Sequence, residues 1–466
     1  MLNALLENIE IIDAGSEGNA VARHGDMVVF VPYGVPGDVV DIEVFRAKRS
    51  FAEGKIVNFH KYSENRIDPF CSHFGTCGGC RWQQMNYETQ LHYKQKQVED
   101  SLKRIGKFET PIIRPILASP QIKGYRNKLE FTFSSRRWYT SPGNGEASPA
   151  LGFHIPKRWD KILDIDYCYL MEEPINAIRL ETRRYAIEHR LSFYDARNYS
   201  GFLRNMILRS TTRGDLMLIM IYGHDEPDVI IQMLDHLLHT FPQITSMFYV
   251  INEKKNDVIS DLEMRHYAGT KHITQTLPPF MENHREVSFR IGPVSFFQTN
   301  PVQAGHLFRL ATEYLSPREG DLIYDLYTGT GTIANYIAPY VSRVIGIESV
   351  ASAVADAAVN AEQNGNTNLQ FFAAEAEKLL SPEFISAHGH PDAVITDPPR
   401  NGMHEKVIHT LLSVLPAKIV YISCNPATQA RDLLMLSERY SLRECQPVDM
   451  FPHTQHVENV AVLTLT

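Results

Sequence analysis

The sequence predicts an α/β chain in three parts, ending in an open parallel sheet, and three observations carry that prediction. From about residue 290 short apolar strands alternate with helices, the mark of a parallel α/β sheet. Residues 1–66 hold short β-type runs between Gly/Pro turns, which fits a compact β-barrel. Residues 67–285 mix strands and helices without an internal repeat, a mixed α+β middle part opened by a cysteine and glycine knot. The 466 residues exceed what one core supports, so the parts are 1–66, 67–285 and 286–466.

Taken in order, residues 27–32 are almost continuously apolar, 39–45 follow the turn Val35-Pro36-Gly37-Asp38, and 54–57 suggest another strand. Residues 84–106 are expected to be helical, with Leu91, Val98, Leu102 and Ile105 on the apolar side. That helix, counted as 84–110, is a candidate to pack on the C-terminal part despite its place in the chain. A flexible tract is expected at 141–145. The strands of the last part are placed at 322–326, 343–347, 369–373, 393–396 and 418–423, with helices at 352–364 and 405–415 among them. Residues 441–466 are expected to form an antiparallel hairpin that closes one edge.

Composition narrows the function. Hydrophobic residues make up 44% and charged residues 21%, enough for real cores, which excludes disordered and collagen-like classes. No run approaches the ~20 apolar residues of a membrane span, and the first residues are acidic and lack a leader pattern. A cytoplasmic protein with no membrane association and no obligate protein partner is expected. The net charge of −8 hides a polarity: residues 80–137 sum to +7 and residues 317–400 to −7. That pattern suits a protein holding a polyanion in one place and a cation in another, the plain alternative being charge scattered over solvated helices.

Asp325-Leu-Tyr327-Thr-Gly329-Thr-Gly331-Thr332 follows a strand and opens a helix, where glycines let a backbone approach a ligand. Glu348 ends the next strand, placed to accept hydrogen bonds from ribose hydroxyls. The third and fourth strands finish near Glu375 and at Asp397-Pro398-Pro399-Arg400. Any one of these acids could equally cap a helix. Together, on the carboxyl edge and without a lysine for phosphates, they favour a cationic nucleoside, and S-adenosylmethionine fits.

Cys424 ends the fifth strand on the same edge, just before a helix whose N-terminus is expected to lower its thiol pKa. A buried inert cysteine is the alternative there, and Cys445 is assigned to it. A nucleophile beside a methyl donor suits carbon 5 of uracil, which attacks a sulfonium methyl only after a thiolate adds at carbon 6. A base must then remove the carbon-5 proton. Glu458, His453 and His456 in the 451–459 loop compete for that role. The Asp-Pro-Pro run alone would also suit amino-nitrogen methylation, which needs no thiol.

Cys71, Cys77 and Cys80 lie within ten residues, with Gly78 and Gly79 relieving crowding. Such a knot holds an iron–sulfur cluster or zinc. Zinc prefers paired short spacings, and only one Cys-x-x-Cys is present. A cluster needs a distant fourth ligand, and Cys168 is the unassigned cysteine nearby.

These motifs resemble those of the RNA uracil-5-methyltransferase family, in particular its iron–sulfur subgroup acting on 23S ribosomal RNA. The likeness covers nearly the whole chain. Val35-Pro36-Gly37-Asp38 is similar to part of a TRAM domain, an OB-like RNA-binding barrel, and Tyr125-Arg-Asn-Lys128 resembles a signature of the family's central domain. Phe297-Gln298-Thr-Asn300, the 325–332 loop, Asp397–Gly402, 423–433 and 451–460 follow in the family's order. The resemblance implies a Rossmann-like, S-adenosylmethionine-dependent methyltransferase domain at 286–466, with Gln298, Tyr327, Thr332, Glu348, Glu375 and Asp397 around the methyl donor. It implies Cys424 as nucleophile, Glu458 as base, and Cys71, Cys77, Cys80 and Cys168 around a 4Fe-4S cluster. Glu375 stands where relatives often have Asp, and Thr328 and Thr330 depart from the usual glycine loop. The same chemistry on transfer RNA is an alternative. Transfer RNA enzymes usually resemble this chain only in the catalytic half, so the barrel and knot speak for ribosomal RNA. A noncatalytic iron–sulfur RNA-binding protein is the alternative from another class.

Overall fold

The computed structural model describes residues 4–139 and 148–466, and the tract at 141–145 lies outside the described residues. Strands Leu5–Ala14, Ala20–His24, Met27–Val31, Phe51–Lys61 and Val39–Ala47 close in that order into a barrel. Alternation turns Ile11, Ala22, Val29, Val31, Val40 and Ile42 inward as its core. The 35–38 turn is fastened by Asp38, fully buried, whose carboxylate accepts the N–H groups of Val35 and Ser63 and the Arg66 guanidinium. Strand Leu5–Ala14 is hard to read from sequence because its register slips between Leu6 and Ile9, which breaks the alternation.

The middle part is built on an eight-stranded sheet in the order Arg265–Gly269, Ser246–Ile251, Leu216–Tyr222, Leu203–Ser210, Lys128–Ser134, Ala150–Ile155, Arg158–Asp164 and Arg137–Trp138. Helices Ile175–Glu188 and Pro227–Thr240 cover one face, packing Ile178, Met233 and Leu234 on Leu208, Leu218 and Met220. The opposite face, with Ile207, Ile219 and Ile221, shares a core with Phe289, Phe297 and the C-terminal sheet. Burial of both faces explains the unbroken apolar runs of its central strands.

The C-terminal sheet runs Leu369–Ala373, Arg343–Glu348, Leu322–Leu326, Ala393–Thr396, Lys418–Ser423, Glu458–Leu465 and Tyr440–Val448. The first five strands are parallel, and the last two form an antiparallel pair at the edge. This is the expected doubly wound arrangement, with each parallel strand within one residue of its expected bounds. Reversal of strand order between Leu322–Leu326 and Ala393–Thr396 opens a crevice at their carboxyl ends.

Helix Tyr87–Arg104 starts at Asn86, whose side chain accepts the Thr89 N–H. Its Val98 and Leu102 pack into the core of the C-terminal sheet beside Leu433 and Leu436. Beyond it the chain runs along Tyr440–Val448, bridging Ile113 to Cys445 and Leu117 to Val448. Among the described residues no helix is long and apolar enough to cross a membrane.

Candidate active site

The glycine loop has the backbone its sequence demands. Gly331 has φ of +71°, and a Cβ there would stand 2.8 Å from that of Ala357 on the next helix, so only glycine fits. The Thr328 hydroxyl donates to buried Asp325 at 2.5 Å, and Asp325 also accepts the Ala334 N–H. The two threonines that depart from the family pattern thus brace the loop, Thr328 from within and Thr330 by donating to the Phe296 carbonyl outside it. Glu348 accepts the Gly329 N–H at 3.1 Å and the Val350 N–H at 2.9 Å, which fixes its carboxylate at the strand end.

A cavity of about 1100 Å³ opens along this edge. Gln298, Tyr327, Thr332, Glu348, Glu375 and Asp397 all line it, and so do Cys424 and Glu458. Phe297-Gln298-Thr-Asn300 shows why the motif reads as it does. Phe297 enters the core, Gln298 faces the cavity, and Asn300 caps helix Pro301–Leu315 while donating to the Met450 carbonyl. Glu375 is the most solvated of the set and pairs with Lys378 at 2.7 Å.

Cys424 follows strand Lys418–Ser423, and Glu458 opens the antiparallel neighbour, with Ser423 paired to Asn459. The two side chains therefore meet at adjoining strand ends. Burial and the charge of Asp397 hold the Glu458 carboxyl above the ordinary carboxylate range. The Cys424 thiol is pushed up to about 11 by burial and by the charges of Glu458 and Asp397. This corrects the expectation that the helix N-terminus would lower it. Helix Pro426–Leu436 does begin there, but Asn425 caps it at Ala427, and desolvation with like charge outweighs the helix dipole. Arg400 opposes this, pulling both Cys424 and Glu458 back toward their ionised forms. Arg400 has no role in the sequence pattern beyond its place in the Asp397–Gly402 run, where the signal is a cation three residues past an acidic strand end.

Cys424 and Arg400 also line a second groove of about 800 Å³. Its walls are the barrel around Asp13–Glu17, Lys96, Asp100 and Arg104 of helix Tyr87–Arg104, and His456. His456 therefore sits on the groove, its pKa pushed down to about 4 by burial and Arg400. His453 lies apart from both cavities. Its ring contacts Gln90 and the Ile122 carbonyl, and burial lowers its pKa to about 4.

Cys71, Cys77, Cys80 and Cys168 line one cavity of about 420 Å³. Among the described residues no three His, Cys, Asp or Glu side chains are drawn together tightly enough to hold a single metal ion. Burial pushes the Cys80 thiol up to about 12 and that of Cys168 to about 11, with neighbouring thiols adding to both shifts. Four thiols lining one roomy pocket make an all-sulfur donor set, whose chemistry fits an iron–sulfur cluster or zinc.

The basic stretch is partly spent on ion pairs within the chain, of which only Lys94–Asp449 is wholly buried. Lys94, Lys96, Arg104, Arg114, Arg136 and Arg137 pair with Asp449, Asp13, Asp100, Glu444, Asp195 and Asp164. Charge along the sequence thus overstates what faces a polyanion.

The sheet order and the acidic pocket on its carboxyl edge define a class, the S-adenosylmethionine-dependent methyltransferases. The chain belongs to the tRNA (uracil-5-)-methyltransferase family, whose model matches residues 210–465, and a TRAM domain matches residues 7–57. It is an RNA methyltransferase, not a noncatalytic binding protein. An uncharacterized RNA methyltransferase of Bacteroides thetaiotaomicron is 48% identical over 97% of this chain and 99% of its own, and another of Porphyromonas gingivalis is 47% identical over 98% and 99%. Among solved structures, Pyrococcus abyssi tRNA (uracil-54, C5)-methyltransferase in complex with S-adenosyl-L-homocysteine matches with a TM-score of 0.76 and 30% identity, covering 98% of this chain and 99% of that one. A transfer RNA enzyme thus resembles this chain from end to end. The mere presence of a barrel and a middle part therefore does not separate the two RNA substrates, and the sequence argument from their presence falls.

Proposed function

We propose that the protein methylates carbon 5 of a uridine in 23S ribosomal RNA through a covalent Cys424 intermediate. The observation that carries the covalent route is the position of Cys424 and Arg400 on the walls of both the donor cavity and the barrel-side groove. A flipped base entering from the groove would meet the thiol on one side and the sulfonium methyl on the other. Gln298, Tyr327, Thr332, Glu348, Glu375 and Asp397 would line the methyl-donor site, their carboxylates matching its positive charge.

The thiol loses its proton to water and the resulting thiolate adds at carbon 6, with Arg400 favouring the thiolate. The electron pair released to carbon 5 attacks the methyl, and the methyl–sulfur bond breaks to leave S-adenosylhomocysteine. Glu458 then takes the carbon-5 proton, the carbon 5–carbon 6 double bond re-forms, and the Cys424 sulfur leaves. Cys71, Cys77, Cys80 and Cys168 would hold a 4Fe-4S cluster. When bound, it supplies a rigid cross-link between the knot and the middle sheet and a centre able to exchange one electron.

The ribosomal reading rests on the resemblance of the cysteine knot to that of the iron–sulfur subgroup. Transfer RNA is the second reading, favoured by the end-to-end likeness to the Pyrococcus abyssi enzyme. Mapping 5-methyluridine in both RNAs from a deletion strain decides between them. Loss from 23S RNA alone supports the first reading, and loss from transfer RNA alone replaces it with the second.

A further inference from the structure

We infer that Lys94 is a positioning residue for proton removal, holding in place the loop that delivers Glu458. This rests on the reading of Glu458 as the base.

The segment between strands Tyr440–Val448 and Glu458–Leu465 has almost no regular structure of its own. It carries Phe451, which lines the donor cavity, and ends at Glu458. Its shape is imposed by a helix more than 350 residues away in sequence. Lys94 Nζ donates to Asp449 Oδ1 at 2.5 Å and to the Phe451 carbonyl at 2.9 Å, and both charged side chains are wholly buried. The Tyr87 hydroxyl donates to Asp449 Oδ2 at 2.8 Å, while Gln90 accepts the His453 N–H at 2.9 Å. Tyr87, Gln90 and Lys94 recur at helical spacing, so one helix face grips three points of the loop.

A second anchor comes from the cysteine knot. The N–H groups of Arg81 and Trp82, directly after Cys80, donate to the His453 carbonyl at 2.8 and 3.1 Å. The loop is thus suspended between the helix and the knot, and Glu458 stands where it re-enters the ladder, paired with Val448, the residue before Asp449. A buried ion pair is seldom worth more to stability than well-packed apolar side chains of like volume. What it adds is direction, because an ammonium bonded to one carboxylate and one carbonyl fixes the loop in one geometry. The same helix presents Lys96, Asp100 and Arg104 to the barrel-side groove.

The test replaces the pair as a unit, Lys94→Met with Asp449→Leu, so that no charge is left buried alone. Thermal unfolding, S-adenosylmethionine affinity, kcat and KM with unmodified RNA, and denaturing gels of enzyme–RNA adduct are measured beside Glu458→Gln. The expected variant is folded, binds the donor within about twofold, and keeps KM. It loses about 10- to 100-fold in kcat, the scale of a misplaced catalytic group, and accumulates adduct carrying the methylated base. Wild-type kcat in the folded double variant, with adduct in Glu458→Gln, overturns the positioning role alone. Wild-type turnover in both overturns the base reading and the positioning role with it. A slow variant with weakened donor binding and no adduct shows general damage and also overturns it. Should the double variant not fold, Tyr87→Phe removes one bond to Asp449 without a charge. It should raise the adduct fraction to a lesser extent, and no rise there overturns the inference.

Discussion

Cys424 and Glu458 stand at the adjoining ends of two antiparallel strands, brought level by the pairing of Ser423 with Asn459. The parallel sheet supplies the thiol at the end of its fifth strand, and the edge hairpin supplies the carboxylate. Neither strand alone contains the pair, and the ladder between them brings the two residues level.

Cys424→Ala should abolish methylation and leave S-adenosylmethionine affinity nearly intact, because the thiol acts on the base and not on the donor. Calorimetric titration with the donor and a methyl-transfer assay check this together. RNA carrying 5-fluorouridine at the target should trap wild-type enzyme as a stable adduct, since fluorine cannot leave as a cation. Normal turnover by the variant would remove the covalent route.

The pH profile should answer to Arg400. Its charge lowers the pKa of both Cys424 and Glu458, and both must lose a proton before they act. Arg400→Gln should therefore move the acid limb of kcat/KM to higher pH and reduce the rate at neutral pH. An unmoved or acid-shifted limb would contradict the placement of its charge.

Stability should move against activity at Glu458. Burial and Asp397 hold its proton on above the ordinary carboxylate range, so between that range and the raised value the folded chain binds more protons than the unfolded one. Its contribution to stability falls as pH rises through that window, by about 1.4 kcal/mol for each pH unit of displacement. Glu458→Gln should raise Tm in mild alkali, with the gain shrinking in mild acid. A lower Tm in alkali than wild type would contradict this.

The fold was legible where local signals agree with the whole. The five parallel strands, the glycine loop and the acidic strand ends announced themselves because one edge of one sheet collects them. What escaped depended on contacts across the chain. Nothing near Lys94 marks it as the partner of Asp449, and Lys96 two residues on, with the same local pattern, pairs at the surface instead. The Cys424 thiol was misjudged because the helix N-terminus is visible in sequence, whereas burial beside Glu458 and Asp397 is not. His453 had the same chemical claim as Glu458 until its ring proved to be bonded away from the cavity.

The cysteine pocket makes its own prediction. Protein purified without air should be brown, with broad visible absorption and about four irons per chain. Replacing Cys77 or Cys168 should bleach it and destabilise the middle part, since metal binding there is also folding energy. Colourless protein with stoichiometric zinc would point to the other metal.

The most direct measurement is the mass of the species trapped by Glu458→Gln. Addition and methyl transfer precede proton removal, and loss of a general base typically costs ~10²–10⁴-fold, enough to make the last step limiting. Glu458→Gln should yield a protein–RNA adduct joined through Cys424 and already carrying the extra methyl, absent from His453→Gln and His456→Gln. Free turnover by Glu458→Gln, with the methylated adduct appearing in a histidine variant, would contradict it.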